Sequence, residues 1–169
     1  MKRIGILLIL LPLLFACTNH RIYYEADLSK AAEAERQGDL QMAYGNLLSA
    51  ILRAKTHLKA KDVSVAYYDM GTFLSRVGQY KKSIDSLQKS VTLANESGAF
   101  DELEMGRRYI EIAKSYAGLE KWKEGQPFLD KVAPYREKYT GEEAALVDAL
   151  FTEYSQAQEK QAIESGTAP

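Results

Sequence analysis

The 169-residue chain is poor in the side chains from which most reactive centres are built, with one cysteine and two histidines. A single cysteine excludes an internal disulfide and a thiolate cage for a metal ion. His20 lies near the N-terminus and His57 stands alone further on, so no nucleophile with its base, and no set of metal ligands, is legible. Four prolines and eleven glycines are too few for a linker-rich or all-β chain. Neither sign of charge dominates: 22 basic residues face 23 acidic ones, for a net charge of −1. Nucleic acid is a poor partner for such a chain, because phosphate binding needs a clustered cationic surface. What is present is 46% apolar and 27% charged residues, rich in Ala, Leu, Glu, Lys and Gln, a balance that favours a helical globular domain.

The first residues read as an address. Lys2-Arg3 precedes an apolar run from Ile4 to Ala16 that is interrupted by Pro12, and the sequence turns polar at Thr18-Asn19-His20-Arg21. The run has about 13 residues where a spanning helix needs roughly 20, so a charged segment followed by an apolar one reads as a signal peptide over 1–16. Leu14-Phe15-Ala16-Cys17 resembles the bacterial lipobox, with the only cysteine where the apolar run ends. That resemblance implies cleavage before Cys17, acylation of Cys17, and a lipid anchor durable enough to hold the protein at a membrane. Thr18 after the cysteine implies sorting to the outer membrane, facing the periplasm. Residues 17–22 are then expected as a short lipidated tether. Without Lys2 and Arg3 the remainder carries 20 basic and 23 acidic residues, a net −3.

Beyond the tether the sequence repeats itself. Tyr67-Tyr68-Asp69-Met70-Gly71-Thr72-Phe73-Leu74 is followed by Gly78-Gln79-Tyr80, Ser83 and Leu87; Tyr109 to Tyr116 by Glu120-Lys121-Trp122, Gly125 and Leu129; Leu28 to Ala34 by Gly38-Asp39-Leu40, Ala43 and Leu47. The turn positions Gly38, Gly78 and Glu120 stand 40 and 42 residues apart. Small residues at Ala31, Gly71 and Ala113, and again at Ala43, Ser83 and Gly125, would let two helices of one hairpin approach closely. Tyr67, Leu74, Leu87, Tyr109, Tyr116 and Leu129 would fill the seams. Turns between repeats are expected at 59–64 and 97–102. Pro127 is expected in or near the first turn of its helix and Pro134 to kink or end it. A last apolar pattern, Ala144-Ala145-Val147-Leu150-Phe151-Tyr154, reads as a helix capping the stack.

This alternation of bulky and small residues resembles the tetratricopeptide repeat (TPR), a helix-turn-helix unit with a usual period of about 34 residues. The resemblance implies an all-α fold, a right-handed superhelical stack of about three hairpins over 23–160 with a C-terminal capping helix, and a flexible tail over 161–169. It implies a binding role rather than an enzyme: a membrane-anchored adaptor or scaffold of the bacterial envelope, taking another envelope protein or peptide segment in its concave groove. A regulatory subunit of an envelope enzyme, such as a peptidoglycan hydrolase, is the alternative. No cofactor and no metal are expected. Family positions that face the groove fall on Tyr68, Thr72, Arg76, Arg107, Glu111 and Lys114, with Ser75 and Ile110 beside them and Leu28, Ala32, Glu35 and Arg36 in the first copy. Arg76, Arg107 and Lys114 together suggest a weak preference for an acidic or carboxylate-terminated segment.

Overall fold

The computed structural model describes residues 4–165, with side chains from Asn19 onward; Cys17, the expected site of acylation, and residues 166–169 of the tail have their side chains outside that range. Among the described residues there are seven α-helices and no strand: α1 (Ile4–Arg36), α2 (Leu40–His57), α3 (Ala60–Arg76), α4 (Tyr80–Ser97), α5 (Glu102–Ala117), α6 (Trp122–Val132) and α7 (Gly141–Glu164), with a 3₁₀ segment (Ala133–Lys138) before the last. They pair in chain order as the hairpins α1/α2, α3/α4 and α5/α6, stacked so that each packs on the next, with α7 against the third. The fold is the expected stack of three TPR-like hairpins closed by a capping helix.

The repeated small residues do the steric work anticipated for them. Ala31, Ala43, Gly71, Ser83, Ala113 and Gly125 are all buried. At the α3/α4 crossing Ser83 Oγ donates to the Gly71 carbonyl at 2.7 Å, while Ser64 and Ser90 exchange hydroxyl-to-carbonyl bonds, each at 2.8 Å. Such direct bonds between a side chain and a facing backbone require helices almost in backbone contact. Leu74, Leu87 and Leu129 are buried at the seams, and Tyr67, Tyr109 and Tyr116 are half-buried there.

The turns follow one rule. Gly38, Gly78 and Glu120 all take left-handed φ values of 78°, 75° and 57°, which lets the chain leave one helix and enter the next. Glu120 does so with a Cβ, at a strain of roughly 1–2 kcal/mol. Asp39 accepts the Met42 N–H at 2.9 Å to start α2, and Asp101 and Glu104 form a reciprocal capping box at the start of α5.

Four boundaries differ from expectation. The turn sought at 59–64 is only Leu58-Lys59, because Asp62 closes a cap on the Lys59 N–H at 3.3 Å and brings 60–64 into α3. Residues 17–22, expected as a tether, are helical, and Arg21 reaches from α1 to Asp62 of α3 with both carboxylate oxygens engaged, at 2.9 and 2.8 Å. Pro127 is the sixth residue of α6 rather than part of its first turn, so the carbonyl four residues back loses a helical donor. The final helix continues to Glu164, four residues into the expected tail. Pro134 behaves as expected: α6 stops at Val132 and the chain tightens into the 3₁₀ segment.

The first repeat lacks a bulky residue at Asp27, and the structure shows what replaces it. Asp27 is buried and accepts from Arg53 Nε of α2 at 3.0 Å, and that guanidinium lies over the Tyr23 ring at 5.2 Å. An ion pair with an aromatic cover stands where an apolar contact would be.

Candidate functional site

The first helices of the hairpins, with α7, line one face of the stack and leave two adjoining hollows. The larger in apolar surface, about 320 Å³, lies between α5 and α7 with Tyr68 of α3 at its edge. Ile110, Val147 and Leu150 form its floor, and Leu146 is 70% exposed at its wall. The second, about 270 Å³, lies between α1 and α3 and is bordered by Leu28, Ala32, Glu35, Asp69, Thr72 and Arg76.

All six residues assigned to the groove from sequence line these hollows: Tyr68, Arg107, Glu111 and Lys114 the first, Thr72 and Arg76 the second. Of their neighbours, Ile110, Leu28, Ala32 and Glu35 are there too. Arg36 instead pairs with Glu33 on its own helix, and Ser75 accepts from the buried Ser115 hydroxyl of α5 at 3.3 Å.

The three cations are not free. Arg76 grips Glu35 of α1 through Nε and Nη2 at 2.6 and 2.8 Å. Arg107 does the same to Glu143 of α7 at 2.6 and 3.0 Å. Lys114 is held by Glu111, one turn back on its own helix, at 2.7 Å. Bidentate guanidinium–carboxylate pairs fix both partners in direction as well as position. These pairs hold the Glu35 and Glu143 carboxyls below the usual carboxylate range, chiefly through the hydrogen bonds themselves, and they raise both guanidinium groups. The acidic-segment preference drawn from those cations is therefore corrected: each already has its carboxylate.

Behind Tyr68 lies a cation that, among the described residues, has no carboxylate within hydrogen-bond or ion-pair distance. Arg108 is 4% exposed and sits 3.9 Å from the centre of the Phe100 ring and 5.2 Å from that of Tyr68. Its donors go to Ser90 Oγ at 3.0 Å, to the Glu104 carbonyl at 2.7 Å and, more weakly, to Ser64 Oγ at 3.4 Å. Neutral acceptors and π-faces satisfy it, and burial lowers its pKa. Tyr68 is thereby clamped, its phenol pushed up to about 12 mainly by desolvation and then by the nearby Glu111 carboxylate.

Sequence reasoning missed Asp69, Glu143, Leu146, Val147, Leu150 and Glu153 as groove residues. A signal existed for the last group: Leu146 stands one helical turn before Leu150, so the stripe that caps the stack also turns into the groove. Among the described residues no group of three or more His, Cys, Asp or Glu side chains could hold a metal ion, and no helix is long and apolar enough to cross a membrane.

No protein-family model matches the chain, and none of the curated proteins matches it. Two solved structures do resemble it. A TPR-like protein from Chlorobium tepidum superposes with a TM-score of 0.66 at 18% identity, over 83% of this chain and 97% of that one. A kinesin light chain of Podosopora anserina with nearly identical TPR-like repeats superposes with a TM-score of 0.63 at 14% identity, over 85% of this chain and 69% of that one. At such identities the likeness is one of architecture: the chain has a TPR-like helical-repeat fold.

Proposed function

We propose that the protein is an adaptor of the bacterial envelope, tethered by lipid on Cys17 and binding a segment of another polypeptide in the groove formed by α1, α3, α5 and α7. The observation that carries this reading is the hollow between α5 and α7, where an apolar floor and the exposed Leu146 lie open between ion pairs that hold the rim in place. Exposed apolar surface framed by fixed polar groups is what a polypeptide ligand needs for affinity and for orientation. The anchor draws support from the lipobox-like Leu14-Phe15-Ala16-Cys17. It also accords with a helix that continues past position 17 and packs from His20 onward, which would hold the groove close to the bilayer and raise the local concentration of any envelope partner.

Leu146→Glu places a charge on the apolar wall without touching the core. It should lower recovery of the native partner in co-purification at least tenfold while the helical circular dichroism is unchanged; undiminished recovery contradicts the groove assignment. In the same cells Cys17→Ser should move the protein from the membrane fraction to the soluble fraction, and unaltered fractionation contradicts the anchor.

A further inference from the structure

The groove carries five carboxylates, Glu35, Asp69, Glu111, Glu143 and Glu153, against Arg76, Arg107 and Lys114. Three of the five are matched one to one with the three cations. Among the described residues Asp69 and Glu153 are left without a hydrogen bond or ion pair, and even counting the buried Arg108 these groove residues keep an uncompensated negative charge. Asp69 is the telling one. It is half-buried on the wall of the α1/α3 hollow, and the Thr72 hydroxyl beside it donates to the Asp69 backbone carbonyl at 3.0 Å rather than to its carboxylate. The donors of Arg108 are committed to Ser90, Glu104 and Ser64. Desolvation pushes the Asp69 carboxyl up to about 6 against the pull of Arg76 and Arg108. A desolvated carboxylate with no donor destabilises the fold that contains it, and a cation supplied from outside would reverse that cost.

On the basis of the groove reading above, we infer that the bound segment carries a lysine or arginine whose cation meets Asp69, next to an apolar side chain that covers Ile110 and Leu146. An acidic segment would find every groove cation already neutralised and two carboxylates facing it, an arrangement that repels it.

The test uses the full chain in detergent and three labelled ten-residue peptides, identical except that a central leucine is flanked by lysine, glutamine or glutamate, with binding read by fluorescence anisotropy. The lysine peptide should bind at least tenfold more tightly than the glutamate peptide, and its advantage over the glutamine peptide should shrink as salt is raised. Asp69→Asn should weaken the lysine peptide about tenfold, the scale of one charge-assisted bond, and leave the glutamine peptide unchanged. The variant's Tm should be equal to or above that of the parent, and the salt series keeps the test decisive if the variant misfolds. Equal or tighter binding of the glutamate peptide, or no binding of the lysine peptide, overturns the inference. So does a lysine peptide indifferent to both salt and Asp69→Asn. If a peptide binds in a Leu146-dependent way without the lysine preference, the charge inference fails while the groove reading stands.

Discussion

A methyl group added at Gly71 would stand 2.5 Å from Leu87 Cγ and 3.3 Å from the Leu87 backbone nitrogen, with the Leu87 side chain fully buried and unable to yield. At Gly125 the new Cβ would meet the Tyr154 hydroxyl and stand 2.9 Å from Tyr116 Cβ. Gly45, in the middle of α2, has nothing within 4 Å of the same added atom. One substitution should therefore act in opposite directions. Gly71→Ala and Gly125→Ala should each cost about 1–3 kcal/mol by overpacking, whereas Gly45→Ala should gain roughly 0.5–1 kcal/mol from helix propensity alone. Urea melts of the three variants check this, and equal effects at all three sites would mean that the hairpins are not in close contact. These positions were legible in the sequence because close helix approach leaves a chemical trace, a small residue recurring at the same place in each copy. The groove ion pairs left none. Arg76 finds Glu35 and Arg107 finds Glu143 only through the register of α3 against α1 and of α5 against α7, which no local pattern encodes. Counting the cations alone hid the carboxylates that already neutralise them.

At the scale of single elements, α1 departs furthest from expectation. Residues 17–22 read as a tether because the sequence turns polar at Thr18-Asn19-His20-Arg21 after the apolar run. Those polar residues are instead the fastenings: Arg21 on Asp62, Tyr24 Oη donating to the Asp62 carbonyl at 3.1 Å, and the His20 ring stacked on His57 of α2 with centroids 3.5 Å apart. The two histidines, remote in sequence, are neighbours in space. His20 is shifted below its ordinary value by desolvation first, then by the charges of His57 and Arg53. The sign follows from linkage. The unfolded chain takes up a proton as pH falls through about 6.5, while the folded chain resists it, so docking of α1 is strongest above that pH and weakens below it. Asp69 works in the opposite direction over a lower window. Its folded carboxyl, raised to about 6, makes the folded state the better proton acceptor between that pH and roughly 4. The histidine contribution is isolated by a variant: between pH 7.5 and 5.5 the Tm of the parent should fall further than that of His20→Gln. Identical pH dependence would show that the stack does not contribute. The other misplaced boundaries share a cause with α1, since helix ends were set by single polar contacts such as Asp62 on the Lys59 N–H, which composition does not reveal.

Taken as a whole, the molecule is a short solenoid in which buried apolar surface and polar seams alternate. One apolar cluster runs through α1 to α4 and a second through α5 to α7. Between them lie the buried Ser64, Ser83, Ser90, Ser115 and Arg108, bonded across the junction, with Ser83 and Ser115 hydroxyls 2.8 Å apart. Satisfied polar contacts of this kind fix the angle between neighbouring repeats more tightly than interchangeable apolar ones. The consequence is a groove of defined curvature. At its far end Tyr154 of α7 donates to the Ala113 carbonyl at 2.6 Å, so the helix that closes the stack also supplies one wall of the hollow.

That the concave face is where another polypeptide binds can be tested most directly by photo-crosslinking in living cells. A photoreactive amino acid is placed singly at Thr72 and Leu146 on the concave face, and at Gln88 and Lys123 away from it. The account predicts a discrete crosslinked species from the first pair and little or none from the second. Equal crosslinking from all four positions, or crosslinks confined to Gln88 and Lys123, would contradict it.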